Sequence, residues 1–349
     1  MVVSILEPPA GESFTVTPSS RGQAYLLLAV VSGCTGHETS VASGALNPKV
    51  STPTVDAVTS VANDGTPHAV VRRQNYRIVF APYAVEVDPD DGGRIVEFSL
   101  DGRSVIVPSN ESPEAYASSF WPSPQSAWSW PPPAEFDKLP WTVTVEGKTL
   151  KLTSGTSEKL GLSAQQRLLA VPEHGALSIE FQITNHGSSP RKVAPWQNTR
   201  VRPKGITFYP SHEATYEQSS LKLKPNDGIT WYAHDPLPVK DSLKSYADGS
   251  EGWMAQVDAD LLFVKVFPDV PRDAQAPEEG EIVIYVSSSG RFVEMEQQGP
   301  YTELQPGQSL TWPVQFLIRR IPRNIEIKPN SLQLVELARE MASSVRPRP

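Results

Sequence analysis

Leu177-Ser178-Ile179-Glu180-Phe181-Gln182-Ile183-Thr184 puts an apolar side chain at every second position and a polar one between. Successive side chains of an extended strand point to opposite faces, so the octapeptide reads as a strand with one dry face and one wet face. Similar runs extend outward from it in both directions: Tyr76 to Phe80, Val85 to Val87, Ile95 to Leu100, Val105 to Val107, Trp141 to Val145, Leu261 to Phe267, Ile282 to Val286 and Leu310 to Ile318. Between them, Asp90-Asp91-Gly92-Gly93, Asp101-Gly102, Glu146-Gly147, Asn185-His186-Gly187 and Asn226-Asp227-Gly228 supply residues that tolerate the positive φ of tight hairpins. Hairpins this frequent predict an all-β fold, a large antiparallel β-sandwich. One helix is predicted, at the carboxy-terminal end: Asn330 can cap it, Gln333 sits three residues on, and Leu334, Val335, Leu337, Ala338 and Met341 follow. Its expected role is to cover a sheet edge or face.

Composition narrows the function classes. The 349 residues include 34 Pro and 22 Gly and are 39% hydrophobic, which favours short strands and irregular loops over long helices. A net charge of −8 offers no basic footprint for phosphates, so no nucleic-acid partner is expected. A single cysteine rules out an internal disulfide framework and a Cys-rich zinc site. His37, His68, His174, His186, His212 and His234 show no metal-ligand spacing. Also missing are a glycine-rich nucleotide turn, a complete Gly-x-x-x-x-Gly-Lys-Ser/Thr phosphate loop (Gly147-Lys148-Thr149 has Thr142 where the first glycine belongs), a Gly-x-Ser-x-Gly elbow and a His-Glu-x-x-His pair. Neither a cofactor nor a metal is expected.

The one cysteine ends an apolar run, Ala24 to Gly33, which is too short for the roughly 20 residues of a membrane span. Val31-Ser32-Gly33-Cys34 resembles the lipobox of bacterial lipoproteins, in which the cysteine thiol is lipidated after cleavage. The other reading is a buried strand with a buried thiol. On the lipobox reading, residues 1–34 are a signal peptide and Cys34 carries the only membrane anchor. Thr35 stands where an Asp would favour inner-membrane retention, so the expected location is the outer membrane of a Gram-negative envelope. Residues 35–71, rich in Ser, Thr, Ala, Gly and Pro, read as a flexible tether. Residues 72–325 are the sandwich, and 326–349 the helix and tail.

Three segments are candidates for recognition. Phe120 to Pro133 contains Trp121, Trp128, Trp130 and five prolines, together with Gln125. It reads either as a stiff loop presenting indoles to a sugar ring or as a loop folded over the core edge. In Ala194 to Arg200, Trp196, Gln197 and Arg200 could meet a hydroxylated ligand, or Arg200 could pair with Glu180 across neighbouring strands. In Phe292 to Thr302, Glu294 and Glu296 share one strand face, either for acid–base work or simply facing solvent, and Tyr301 follows.

The order of several short motifs adds a resemblance. Gly92-Gly93-Arg94-Ile95-Val96-Glu97-Phe98 with Leu100-Asp101-Gly102 resembles the opening of the galactose-mutarotase-like domain. So do Trp121-Pro-x-Pro-Gln125, Thr184-Asn185, Trp196-x-x-Thr199 and Glu296-x-x-Gly299-Pro300-Tyr301-Thr302 with Leu304-x-Pro306-Gly307, as found in an uncharacterised envelope family of that superfamily. The resemblance covers roughly residues 75–322. It implies a supersandwich of two large sheets with a sugar-sized groove, for which the candidate ligand-binding residues are Trp121, Gln125, Trp128, Trp130, Glu180, Trp196, Arg200 and Tyr301. Mutarotases open the sugar ring with a histidine acid and a glutamate base. Glu296 stands where the base would, while the histidine stretch reads Pro195-Trp196-Gln197-Asn198 here. The expected function is therefore a carbohydrate-binding envelope lipoprotein. The alternatives are an aldose-epimerase-like or lyase-like enzyme using Glu296 with Glu180 or His212, and a structural envelope protein without a ligand.

Overall fold

The structure, a computed structural model, describes residues 63–70, 75–212, 220–221, 223–234 and 240–346. Cys34, its lipobox and most of the proposed tether lie outside these residues. Described strands are, in chain order, β1 (Pro67–Val70), β2 (Asn75–Phe80), β3 (Tyr83–Asp88), β4 (Arg94–Leu100), β5 (Arg103–Ser104), β6 (Ser118–Ser123), β7 (Thr142–Glu146), β8 (Thr149–Thr153), β9 (Leu162–Val171), β10 (Ala176–Asn185), β11 (Arg191–Val201), β12 (Ile206–Pro210), β13 (Lys224–Asn226), β14 (Ile229–Ala233), β15 (Leu243–Ala247), β16 (Trp253–Asp258), β17 (Leu261–Val266), β18 (Ile282–Val286), β19 (Val293–Gln298), β20 (Thr302–Leu304) and β21 (Ser309–Arg320). The helices are α1 (Ala134–Asp137) and α2 (Leu332–Val345).

The strands form two antiparallel sheets. The first runs β1-β2-β3-β4-β6-β11-β19-β18-β15, with β5 on β4 and β20 on β11. The second runs β13-β14-β12-β16-β17-β21-β10-β9-β8-β7. Residues 177–184, the opening octapeptide, occupy the middle of β10, paired with β9 on one side and β21 on the other. Its apolar residues Leu177, Ile179, Phe181 and Ile183 face the first sheet and join one core with Ile78, Val85, Phe98, Phe120 and Met295. Phe120 stacks on Phe181 with centroids 4.2 Å apart, and Phe98 meets Phe263 and Phe316 at 6.2 and 6.1 Å, so aromatic pairs tie the layers together. This is the sandwich the alternation predicts.

The other face of the second sheet is covered by α2. Leu334, Val335, Leu337, Ala338, Met341 and Ala342 bury against Phe208, Trp231, Trp253, Leu262 and Val264. Ser331, not Asn330, is the N-cap residue, and it makes no side-chain capping bond; Asn330 instead takes a positive φ of 66° in the preceding turn. Two further expectations change. Pro67–Val70, assigned to the tether, pairs with β2, so ordered structure begins before residue 72. Val105–Val107 is buried but irregular: its N–H groups at 105 and 107 donate to the carbonyls of Phe98 and Arg200, because a short apolar run need not be a strand.

Candidate functional site

With α2 on the second sheet, the outward face of the first remains, and strand parity decides what it carries. Phe120, Met295 and Ile284 point into the core, so Trp121 on β6, the even residues of β11, β19 and β15, and the odd residues of β18 point outward. Register then lays out rows across the strands. Arg200, Glu294, Tyr285 and Lys244 form one row, and Asn198, Glu296, Val283 and Tyr246 the next. Trp121 lies directly beside Trp196. Neighbours in such a row are about 5 Å apart, which is close enough for side chains to pair.

The chain after β6 folds back over this face. Trp128 is buried, donating its indole N–H to the Pro122 carbonyl at 2.7 Å and packing 6.3 and 6.1 Å from the Trp121 and Trp196 rings. Trp130 stays 68% exposed, edge-on to Trp121 at 6.1 Å. At the end of the covering segment, Asp137 of α1 accepts from Trp121 Nε1 at 3.0 Å and from Arg94 Nη2 at 2.8 Å. Gly92 must be glycine for this closure: its φ is +67°, and a Cβ would stand 2.7 Å from the Asp137 carbonyl.

Between cover and sheet lies a cavity of about 600 Å³. Its walls include Arg94, Tyr116, Trp121, Gln125, Trp130, Trp196, Arg200, Lys244, Tyr246, Tyr285, Glu294 and Glu296, and among the described residues no histidine lines it. Burying charge demands partners, and the charges here are matched. Arg94 pairs with Asp137 at 2.8 Å, and Arg200 Nε with Glu294 at 2.8 Å. Arg200 also bonds Ser119 Oγ at 2.6 Å and lies over the Trp121 ring at 5.1 Å. Glu296 accepts the Trp196 indole N–H at 2.8 Å and lies 4.0 Å from Lys244 Nζ. Lys244 sits over the Trp196 and Tyr246 rings at 5.2 and 4.9 Å.

Burial pushes the Glu296 carboxyl up to about 8, against the pull of Lys244 and with help from Glu294 and Glu279. Burial also works against the Lys244 ammonium, but Glu296, Tyr246 and Glu279 outweigh it and hold the group above the usual lysine range. A carboxyl that gives up its proton near neutral pH thus sits beside an ammonium that keeps its own. Beneath this strand Lys265 is fully buried, donating to the Met295 carbonyl at 2.7 Å. Burial draws its amine well below the usual range.

Trp121, Gln125, Trp130, Trp196, Arg200 and Glu296, chosen from sequence, line this single cavity. Other choices fall elsewhere. Trp128 supports the lining indoles from behind. Glu180 is exposed on the second sheet, 4.0 Å from Arg167, because the parity that sends Ile179 and Phe181 into the core sends Glu180 to solvent. Arg200 therefore pairs with Glu294, not Glu180. Tyr301 lies beyond β19 with Lys192 over its ring at 5.9 Å, outside the cavity lining. His212 is likewise absent from the lining, so neither suggested partner of Glu296 is there. The stiff loop of exposed indoles is in part a strand, β6, with Trp121 and Trp128 each only 3% exposed. Glu294 and Glu296 do not face solvent but are 8% and 1% exposed.

Sequence reasoning assigned no role to Arg94, Lys244, Tyr246 or Tyr285. Lys244 and Tyr246 do alternate with Ser245 and Ala247, the one local signal that could have placed them on a shared face.

The family's profile matches residues 122–318, which spans β6 to β21 and most of this site. The chain belongs to the family described as Domain of unknown function (DUF4380). No curated protein matches its sequence. Among solved structures, the Slr1438 protein of Synechocystis sp. PCC 6803 superposes with a TM-score of 0.53 at 15% identity, over 73% of this chain and 98% of that one. A galactose mutarotase-like protein from Clostridium acetobutylicum gives 0.50 at 12% identity, over 73% and 98%. At such identities the likeness concerns the fold, which this chain shares with that galactose mutarotase-like protein.

Proposed function

We propose that this family member binds a carbohydrate in the cavity on the first sheet, and that a lipid on Cys34 holds it at the outer membrane. The observation that carries the sugar reading is the convergence of Trp121, Trp196, Arg200 and Glu296 on one hollow of about 600 Å³. That volume falls within the roughly 300–1,000 Å³ of small-molecule sites. A pyranose has C–H faces that lie on indoles and hydroxyls that bond to fixed polar groups, and this wall supplies both. The mutarotase-like fold of the structural neighbours supports the same reading. Glycans titrated against intrinsic tryptophan fluorescence test it, since Trp130 is exposed and lines the cavity. A saturable change is expected, and silence across cell-wall and plant glycans refutes the reading. The anchor rests on Val31-Ser32-Gly33-Cys34; metabolic labelling with palmitate is expected to mark the wild type and not Cys34→Ser.

One observation favours a second reading, sugar 1-epimerisation: Glu296 and Lys244 face the same cavity as a proton acceptor and a proton donor. The Glu296 carboxylate takes the anomeric hydroxyl proton, the C1–ring oxygen bond breaks to leave an aldehyde, and Lys244 delivers a proton to the ring oxygen. Rotation about C1–C2 and return of both protons gives the other anomer. Because burial holds the Glu296 carboxyl near 8, the rate should climb as pH passes through that value. Polarimetry on pure anomers checks this; no acceleration over buffer removes epimerisation and leaves binding standing.

A further inference from the structure

Three hollows lie side by side on the outward face of the first sheet, joined by shared walls. The central one is the cavity above. Tyr116 lines both it and a second hollow of about 540 Å³, bounded by Asn75, Glu86, Asp88 and Glu97 of β2, β3 and β4. Gln125, Trp130 and Tyr246 line both the centre and a third hollow of about 380 Å³, which ends at Pro277, Glu278 and Glu279. From β3 under the second hollow to β15 beside the third, the sheet takes six strand steps, β3-β4-β6-β11-β19-β18-β15. At about 4.8 Å each these span about 29 Å, several pyranose rings end to end. An aromatic side chain stands at each junction, Tyr116 on one side and Trp130 on the other.

The charges along this trough are uneven. In the centre Arg94 pairs with Asp137 and Arg200 with Glu294, and Lys244 lies 4.0 Å from Glu296. The second hollow carries Glu86, Asp88 and Glu97, and among the described residues Arg77 bridges Glu86 and Glu97 at 3.0 and 2.8 Å. Asn75, 3% exposed, lines it too, and its Oδ1 accepts no hydrogen bond from the described residues. The third hollow adds Glu278 and Glu279. Walls of this kind accept hydrogen bonds from hydroxyls and repel carboxylates and sulfates.

We propose that the ligand is an uncharged oligosaccharide laid along the trough, one ring in the central cavity and its neighbours in the two outer hollows. The proposal rests on the carbohydrate reading and narrows it from a single sugar to a chain. A monosaccharide would occupy the centre alone, leaving one side of Tyr116 and of Trp130 without a partner.

Calorimetric titration with cello-, malto- and N-acetylchito-oligosaccharides of one to six residues tests it. In the series that binds, affinity should rise by about tenfold or more from the monosaccharide to about the tetrasaccharide, then level off. Ser109 and Ser126 are exposed and line the second and third hollows, so Ser109→Trp and Ser126→Trp fill those hollows without disturbing the core. In each variant the ratio of tetrasaccharide to monosaccharide affinity should fall towards one. Equal affinity at every chain length overturns the chain proposal and leaves the sugar reading intact. Oligogalacturonates that bind as tightly as the neutral series overturn the uncharged ligand, and no binding at any length by any series overturns the carbohydrate reading itself.

Discussion

Replacing Glu296 by glutamine removes one ionisable carboxyl from the floor of the cavity and keeps its shape and its acceptor for the Trp196 indole. The consequence follows from the proton. The folded carboxyl titrates near 8, whereas the unfolded chain releases the same proton at 4.5. An ion pair at 4.0 Å contributes about 4 kcal/mol at an effective dielectric of 20, yet burial and the neighbouring carboxylates still win. A raised carboxyl pKa means that the native state holds more protons than the unfolded one between these values. The stability this provides is present below the unfolded value and lost as pH rises through the folded one. The interval from 4.5 to 8, at about 1.4 kcal/mol per unit, sets a loss of about 5 kcal/mol. About 4 kcal/mol of it falls between pH 5 and pH 9. Glu296→Gln cannot suffer that loss, so urea unfolding of both proteins should give close stabilities at pH 5 and a variant about 4 kcal/mol ahead at pH 9. Glu281, also pushed up to about 8 by burial, contributes equally to both chains and cancels. Stability curves that stay parallel across this range refute a buried, proton-holding Glu296.

The remaining predictions concern other parts of the same face. Trp130→Ala should change stability by no more than about 0.5 kcal/mol, because the indole is 68% exposed, while lowering glycan affinity about tenfold in a fluorescence or calorimetric titration. Arg94→Ala leaves the Asp137 carboxylate with the Trp121 indole and the half-exposed Lys138 at 3.9 Å, and chemical denaturation at pH 7 should show a loss of about 3 kcal/mol. Lys265→Met removes an amine whose pKa burial lowers, so the unfolded chain of the wild type binds the extra proton. Wild-type stability should therefore climb by up to about 1.4 kcal/mol per pH unit as the unfolded value is approached from below, and the variant should lack that climb.

The plainest strand signal in the sequence comes from β10, which has one wet face. β10 alternates because its odd residues fill the core and Glu180 and Gln182 meet solvent or the sheet rim, and the same holds for β9, whose burial alternates along most of its length. β6, β11 and β19, which carry much of the site, lack this signal. β6 and β19 are buried at every residue, and β11 at nine consecutive ones, because the core covers one face and the Trp128–Asp137 segment and matched charges cover the other. With both faces dry, period two vanishes, and Phe120 to Pro133 reads as a loop. Glu294 and Glu296 mislead in the same way. A carboxylate on a strand normally faces water, and only the register of β11 and β15 supplies the Arg200 and Lys244 that allow these two to be buried.

The sequence by itself determined the sandwich, most of its hairpins and its terminal helix, because a one-sided core imprints a local two-residue or 3.6-residue period on the chain; the turn expected at Asn185-His186-Gly187 is no hairpin, since it carries the chain from β10 in one sheet to β11 in the other. It also determined that indoles, an arginine and a glutamate were available in three segments. Tertiary structure decided which of them meet. Strand order brings residues about 100 positions apart, such as Trp196 and Glu296, to within a hydrogen bond, and no local pattern encodes that pairing. The same register gives Glu296 its lysine and sends Glu180 to the opposite side of the protein's core, since one residue of parity in a strand is the difference between a cavity wall and open solvent.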